Sequence, residues 1–142
     1  MRIFLDANVL FSAALNTSSG LRGFFSLAEA GVCELLASPF ALDEARRNIA
    51  RKYPAQTADL EQLIAHITIC REATSAEVLW ARSTGLPDKD APILAAALQA
   101  KAELLVTGDR ADFGHLYDTT IRGITVVTPV RALELILKKA GV

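Results

Sequence analysis

The sequence has few cysteines, few aromatic residues and almost no net charge. Of its 142 residues, two are cysteines and 6% are aromatic, and the formal net charge is −1 with a pI near 6.1. A near-neutral chain lacks the strong overall attraction to nucleic acid that a DNA-coating protein needs, so any such contact should be local. Because 51% of the residues are hydrophobic, the core must be mainly aliphatic.

The two cysteines do not form a recognisable metal or disulfide pattern. Cys33 and Cys70 lie in separate apolar stretches, with no CxxC spacing and no nearby histidine pair. This spacing indicates neither a zinc site nor a disulfide framework. We therefore expect buried free thiols in a reducing cytoplasm.

Long hydrophobic runs are absent as well. Stretches such as 91–98 are far shorter than the roughly 20 residues that cross a bilayer. The apolar run at 2–5 is interrupted by Asp6, where a signal peptide needs an unbroken segment, so a strand is predicted there. With no repeat, low-complexity stretch or long linker, residues 1–142 should form one domain without a membrane partner.

Short hydrophobic runs alternate with helical patterns along the chain. Near-continuous runs are typical of strands buried on both faces of a parallel sheet. This pattern predicts a three-layer α/β/α sandwich with a mainly parallel sheet of about five strands. The strands are expected at 2–5, 32–37, 67–70, 104–107 and 124–128, and the helices at 7–15, 21–30, 40–53, 57–65, 75–82 (with a capping serine), 90–102 and 131–139, with a loop at 16–20.

Acidic residues stand where the hydrophobic pattern breaks. Asp6 and Asp109 follow predicted strands, and the carboxyl ends of parallel strands are where ligands gather. Asp90 stands at the start of one predicted helix, before Pro92, and Glu44 lies early in another. Carboxylates brought together repel one another and resist desolvation, so a fold that gathers them usually holds a hard divalent cation. This chemistry suits a metal-dependent phosphodiesterase.

Each acid also has a purely structural interpretation. Asp6 and Asp90 could cap helices, Asp88 and Asp109 could belong to turns, and Asp112 could cap a short segment at 113–117. The strand-end position favours a functional interpretation of Asp109.

The sequence does not decide which acid on or near the predicted 40–53 helix belongs to the site. Glu is common on helix surfaces, and Asp43 and Glu34 compete with Glu44.

Three segments resemble the successive signatures of the PIN-domain family, and together they span almost the whole chain. The resemblance implies a Rossmann-like sheet and metal-dependent ribonuclease activity, commonly as the toxin of a VapBC-type toxin–antitoxin pair. It also implies an RNA substrate, an antitoxin partner and a homodimer. The segments are Asp6-Ala7-Asn8-Val9-Leu10, Asp90-Ala91-Pro92-Ile93-Leu94-Ala95-Ala96-Ala97, and Val106-Thr107-Gly108-Asp109 followed by Asp112-Phe113.

The resemblance also assigns roles to residues of this chain. Carboxylates that match the family's acids are expected to hold one or two Mg²⁺ or Mn²⁺ ions. The metal-binding and catalytic positions are Asp6, Glu44, Asp90 and Asp109, with Asp88 and Asp112 as accessory acids and Asn8, Ser12 and Thr107 as supporting polar groups. His66 and His115 are interpreted as structural or surface residues.

Basic residues on the predicted 40–53 helix are candidates for holding RNA. They are Arg46, Arg47, Arg51 and Lys52, with Arg110 as a further candidate for a phosphate contact. The alternative is a solvated helix face with ordinary ion pairs.

Aromatic residues for base stacking are scarce. Phe4 and Phe11 fit the core, which leaves Phe24, Phe25, Tyr53 and Trp80 as candidates, so strong base-specific stacking is not predicted.

Two other functions compete with a nuclease. One is a catalytically silent PIN-like binding module that acts only through partners. The other is an α/β phosphatase with a strand-end Asp as phosphoryl acceptor, although Asp6-Ala7-Asn8 departs from the Asp-x-Asp pair that this reaction uses. The apolar sides of the helices at 21–30 and 60–67 are candidates for pairing two subunits or receiving an antitoxin segment.

Overall fold

A computed structural model describes residues 1–16 and 20–142, so most of the predicted 16–20 loop lies outside the described residues. Strands and helices alternate as the sequence predicts. The elements are β1 (Arg2–Leu5), α1 (Ala7–Leu15), α2 (Arg22–Glu29), β2 (Glu34–Ala37), α3 (Pro39–Lys52), α4 (Thr57–Ile64), β3 (Thr68–Ile69), α5 (Ser75–Arg82), α6 (Ala91–Gln99), β4 (Leu104–Val106), α7 (Arg110–Phe113), β5 (Thr120–Ile121), β6 (Ile124–Val127) and α8 (Pro129–Lys139), with short 3₁₀ turns at Pro54–Gln56 and Gly114–Leu116.

The described strands form one six-stranded sheet in the order β3-β2-β1-β4-β6-β5. Every pairing is parallel except that of β5 with β6. The predicted fold class, a mainly parallel sheet flanked by helices, is confirmed. The count of about five strands omits β5, a two-residue strand that folds back on β6.

The centre of the sheet is buried on both faces. Ile3, Phe4 and Leu5 of β1 have no exposed surface, and β4 is buried along its whole length. Helix α6 contributes a face of small buried alanines, which lets helix and sheet pack closely. This packing holds the carboxyl ends of β1 and β4 in fixed positions.

The strand order reverses next to β1. From β1 the sheet grows through β2 to β3 on one side, and β4 then joins β1 on the other side. In open α/β sheets, such a reversal creates a crevice beyond the carboxyl ends of the two strands. Asp6 ends β1 at this crevice, and Asp6 N donates to the Val106 carbonyl of β4 at 3.0 Å.

Several helix boundaries differ from the sequence prediction for identifiable reasons. Proline occupies the first turn of α3 and α8, each behind a capping hydroxyl, so both helices begin before the predicted 40 and 131. Helix α5 is capped by Thr74 in a reciprocal capping box with Glu77, so the prediction of a serine cap is wrong.

Two further predictions can be compared with the structure. Cys33 and Cys70 are both free, as expected, the first buried and the second half-buried. No described helix combines the length and apolar character needed to cross a bilayer.

Candidate metal centre

A cavity of about 380 Å³ opens beyond the carboxyl ends of β1 and β4. Four carboxylates from four elements line it: Asp6 after β1, Glu44 on α3, Asp90 before α6 and Asp109 after β4. The fold therefore brings together the four acids that the sequence analysis selected.

Asp6 is held by hydrogen bonds on both carboxylate oxygens. Its Oδ1 accepts from the amide of Ala7 at 2.7 Å, and its Oδ2 accepts from Thr107 Oγ1 at 2.9 Å and from Asn8 Nδ2 at 3.1 Å. Asn8 also accepts from the amide of Gly108 at 2.9 Å. Thr107 and Asn8, two of the three predicted supporting residues, thus tie the end of β1 to the end of β4. Asp6 caps α1 as well as facing the cavity.

The environment of Asp6 disfavours its charged form. Its side chain is only 4% exposed, and this burial raises its pKa to about 6. The hydrogen bonds from Thr107 and Ala7 oppose the rise, while the charges of Glu44 and Asp109 add to it. A nearby cation would relieve both the desolvation and the repulsion.

A second group of acids lies beside Asp6. One carboxylate oxygen from each of Asp90, Asp109 and Asp112 lies within 4.8 Å of the others. Asp90 is 9% exposed, and its Oδ2 is buried with no hydrogen-bond partner among the described residues. Burial first, and then a hydrogen bond with Asp112, raises the pKa of Asp90 to about 7.

The capping roles suggested for two of these acids are wrong. The Asp90 side chain makes no capping hydrogen bond to α6. Asp112 lies inside α7, and the 3₁₀ turn at Gly114–Leu116 that follows has no side-chain cap. Asp109 caps α7, because its Oδ1 accepts from the amide of Asp112 at 3.1 Å. Asp90 therefore has no helix-capping contact that would account for its buried position.

The donor set fits a hard divalent cation. Carboxylate oxygens are the ligands that Mg²⁺ and Mn²⁺ prefer, and the buried oxygen of Asp90 lacks the partner that a buried acceptor normally has. Burial raises the pKa values of Asp6 and Asp90, and the neighbouring carboxylates add to the rise, so a bound cation would stabilise their charged forms.

Other acids proposed from the sequence point elsewhere. The side chain of Asp88 is 84% exposed, pairs with Arg82 at 3.1 Å and lies outside the cavity lining. Asp43 approaches Arg46, and Glu34 pairs with Arg2 at the start of β2. Glu44 is the acid of α3 that faces the cavity, and the position of Asp88 does not support an accessory role.

One face of α3 lines the cavity through residues spaced four apart. Glu44, Asn48 and Lys52 all contribute to the lining, because residues at i, i+4 and i+8 share one helix face. Asn48 was missed by the sequence analysis, although its spacing from Glu44 could have indicated it. Lys89 was missed too. It lines the cavity between Asp88 and Asp90 in sequence, and its Nζ lies 3.0 Å from Asp112.

Of the basic residues predicted to hold RNA, only Lys52 lines the cavity. Arg46 pairs with Glu61 at 2.7 Å, so it belongs to an ordinary surface ion pair. Arg47 and Arg51 are exposed and lie outside the cavity lining, whereas Lys52 lines it. Arg110 lies 5.7 Å from the centroid of the Tyr117 ring.

The aromatic residues are arranged differently from the prediction. Phe24 and Phe25 are buried in the core, and Trp80 lies under Arg122 with its ring centroid 4.5 Å away. Phe11, predicted to be a core residue, is only partly buried and lines the cavity next to Tyr53.

The remaining predicted residues also have defined positions. Ser12 lines the cavity. The exposed His115 ring lies 2.9 Å from the Thr84 carbonyl, and His66 is exposed near the end of α4, so both are surface residues outside the cavity lining.

Comparison with known proteins places this arrangement among related folds. Residues 2–111 match the family model described as PIN domain. DNA-bound VapBC from Salmonella typhimurium matches with a TM-score of 0.69 at 18% identity, covering 91% of this chain and 98% of that one. VapBC2 from Rickettsia felis, bound to a promoter DNA fragment, gives 0.66 at 17% identity over 90% and 98%.

A third solved structure is VapC20 from Mycobacterium tuberculosis, a toxin that cleaves the sarcin–ricin loop. It matches with a TM-score of 0.53 at 13% identity, covering 77% of this chain and 91% of that one. At these identities the similarity shows the fold. Among curated proteins, none matches this sequence.

Proposed function

The chain belongs to the PIN-domain family, and from that premise we propose that it is a metal-dependent ribonuclease, the toxin component of a type II toxin–antitoxin system. The observation that carries the proposal is the meeting of Asp6, Glu44, Asp90 and Asp109 around one cavity. The similarity to the VapBC structures supports the toxin role. The similarity to VapC20, a toxin that cleaves the sarcin–ricin loop, supports the choice of RNA.

The residues suited to hold Mg²⁺ or Mn²⁺ are Asp90, Asp109 and Asp112, whose oxygens lie within 4.8 Å of one another. Asp6 and Glu44 line the same cavity as Asp90 and Asp109 and are proposed to complete one or two sites. A divalent ion bound there would supply charge neutralisation for a phosphate and acidify the attacking water. Asn8 and Thr107 orient Asp6 through the hydrogen bonds at 3.1 and 2.9 Å.

Two lysines are placed to contact RNA phosphates. Lys52 lies at the end of α3 and Lys89 just before Asp90, and both line the cavity. Lys89 pairs with Asp112, and the hydrogen bond to that carboxylate raises the lysine pKa, so Lys89 stays charged. If a divalent ion bound the acids, it would replace the positive charge of Lys89 beside Asp112. Lys89 would then be able to contact a phosphate.

The partners and setting follow from the family. We propose an antitoxin protein as the inhibitor and a homodimer as the active form, in the cytoplasm, where the free thiols of Cys33 and Cys70 stay reduced.

A cleavage assay with matched variants tests the proposal. Labelled single-stranded RNA is incubated with and without Mn²⁺, using Asp90→Asn and Asp109→Asn beside Asp88→Asn, an exposed acid outside the cavity. We expect Mn²⁺-dependent cleavage that falls by at least about a hundredfold in the first two variants and is unchanged in Asp88→Asn. A second pair of variants extends the test. Cleavage should fall in Glu44→Gln and stay unchanged in Asp43→Asn.

Other outcomes identify the competing functions. Tight RNA binding without cleavage in any metal would favour a silent binding module. Release of phosphate from a generic phosphoester, with RNA intact, would favour a phosphatase. Equal cleavage by wild type and Asp109→Asn would show that the activity comes from elsewhere.

A further inference from the structure

The cavity lining also includes groups that are not acids. Among them are an aromatic ring, a hydroxyl, an amide and an amine, from Phe11, Ser12, Asn48 and Lys52. A site that only held metal ions would have no use for these groups. Their chemistry matches the other parts of a nucleotide, which are the base and the neighbouring phosphates.

The aromatic part is a pair of rings, of which Phe11 lines the cavity and Tyr53 lies beside Phe11. Phe11 on α1 and Tyr53 at the end of α3 have ring centroids 5.9 Å apart, with planes tilted by 57°. Lys52 Nζ lies 5.8 Å from the Phe11 centroid. Tyr53 is 47% exposed and Phe11 partly exposed, so their rings are accessible.

These rings are held on a rigid support. Helices α1 and α3 pack against each other, and the buried Leu10 precedes Phe11 in α1. The buried Ile49 lies one turn before Tyr53, whose amide donates to the Ile49 carbonyl at 2.8 Å. An aromatic surface held in place loses little conformational entropy when a flat ligand covers it. Unstacked bases of single-stranded RNA are ligands of this kind.

The polar neighbours suit the same ligand. Asn48 lies one helical turn from both Glu44 and Lys52, so it stands between them on the helix face that lines the cavity. Its Oδ1 accepts from Arg51 at 3.3 Å, and its Nδ2 is the amide's hydrogen-bond donor. Lys52 adds a positive charge where a flanking phosphate would lie.

We propose that Phe11 and Tyr53 form a base-stacking subsite for the nucleotide that adjoins the scissile phosphate. The base lies against the Phe11 ring with Tyr53 at its edge, Asn48 donates to the base, and Lys52 contacts the next phosphate. The position of the scissile phosphate rests on the proposed nuclease function, but the stacking itself can be measured without cleavage.

The test is an RNA-binding measurement in an Asp90→Asn background, which removes one negative charge and, under the proposed function, prevents cleavage. Fluorescence anisotropy with a labelled single-stranded RNA compares this protein with versions that also carry Phe11→Leu, Tyr53→Ser or the control Trp80→Leu. Leucine keeps the apolar packing of residue 11, and Tyr53 is exposed, so both variants should fold. Circular dichroism melting checks this.

We expect Phe11→Leu to weaken RNA binding by about tenfold and Tyr53→Ser by less, with Trp80→Leu unchanged. A second measurement uses oligonucleotides that each lack one base. Removal of one particular base should weaken binding to the Asp90→Asn protein but should not weaken binding to the Asp90→Asn protein that also carries Phe11→Leu.

The inference is overturned if Phe11→Leu and Tyr53→Ser bind RNA as tightly as Trp80→Leu. It is also overturned if Phe11→Leu keeps the full effect of removing that base, or if the folded Asp90→Asn protein binds no RNA. Failure of the nuclease proposal looks different, because wild-type protein would then stack RNA normally but not cut it in Mn²⁺.

Discussion

At the scale of single residues, the site is built around a carboxylate that is costly to ionise. Asp6 is buried, yet hydrogen bonds from Thr107, Asn8 and the Ala7 amide hold it in one orientation. Thr107 is central to this arrangement, since its hydroxyl donates to Asp6 and accepts from Asn8 and from the Asp109 amide. One buried hydroxyl therefore connects two of the proposed metal ligands.

Thr107→Val should test that connection. Valine keeps the volume but leaves buried polar partners unsatisfied, so the free energy of unfolding should fall by about 1–3 kcal/mol. Loss of the hydrogen bond that lowers the Asp6 pKa should also weaken Mn²⁺ binding at pH 6. Urea denaturation and calorimetry measure the two effects. Thr120→Val, at an exposed edge of the sheet, should change stability by less than about 0.5 kcal/mol. Equal stability of the two variants would contradict the role given to Thr107.

Residues at strand ends could be predicted from the sequence, whereas residues on helix faces could not. Asp6 and Asp109 follow short apolar runs, and parallel strands place their carboxyl ends at one edge. The direction in which α3 faces depends on its packing against α1, which sequence alone does not give. For this reason Glu44 competed with Asp43, and Asn48, which follows from Glu44 only once the facing of α3 is known, was missed. Lys89 lies in the turn before α6, where no periodic pattern indicates which side chains face the cavity.

At the scale of secondary-structure elements, α3 carries much of the site. It presents Glu44, Asn48 and Lys52 to the cavity and ends beside Tyr53. The helix begins at Ser38, whose buried hydroxyl accepts from the Ala41 amide at 3.2 Å, and Pro39 follows in the first turn. A well-defined start fixes which residues face inward.

Ser38→Ala should remove this cap. The free energy of unfolding should fall by about 1 kcal/mol because the Ala41 amide loses its acceptor. Ser38→Gly should cost less, since glycine is tolerated at this position. Thermal or urea denaturation measures the difference. A Ser38→Ala protein as stable as wild type would show that the hydroxyl does not contribute.

The elements that the sequence analysis missed are those with little periodicity. Strand β5 has only two residues, and the turn to β6 places both Arg122 and Gly123 at positive φ, 50° and 83°. Two residues of this conformation form the tight turn preferred in hairpins. Glycine is typical of such a turn, but arginine is not. The β-branched residues on either side of the turn were therefore the other feature that could have indicated a hairpin.

At the scale of the whole molecule, the buried acids make stability depend on pH. The pKa values of Asp6 and Asp90 rise from an ordinary 3.8 to about 6 and about 7 in the folded protein. The folded state therefore holds protons that the unfolded chain has lost between pH 4 and 7, and stability decreases as pH rises through this range. The pKa values of Asp112, Glu61 and Glu103 are lowered in the folded protein, so these groups stabilise the fold when ionised and lose that contribution at lower pH.

The metal-free protein should accordingly melt at a lower temperature at pH 7.5 than at pH 5. Scanning calorimetry in EDTA measures this, and Asp90→Asn should flatten the upper part of the profile because one titrating group is gone. With Mn²⁺ present the trend should reverse, since carboxylates must be ionised to bind the ion. A metal-free protein whose melting temperature rises from pH 5 to 7.5 would contradict the burial of these charges.

The overall architecture was predictable because its signals are local and strong. Continuous apolar strands such as β1 and β4, alternating with helices, require a covered parallel sheet. Whether the four acids converge depends on the order of the strands in the sheet. The apolar pattern suggests that order, but three-dimensional packing determines it.

The proposed metal centre requires these carboxylates to share a divalent cation, which anomalous diffraction from crystals soaked in Mn²⁺ can detect. We expect a manganese peak between Asp90 and Asp109, within ligand distance of their oxygens, that is absent from Asp90→Asn crystals. Manganese bound only elsewhere, or a cavity that stays without a peak at saturating Mn²⁺, would contradict it.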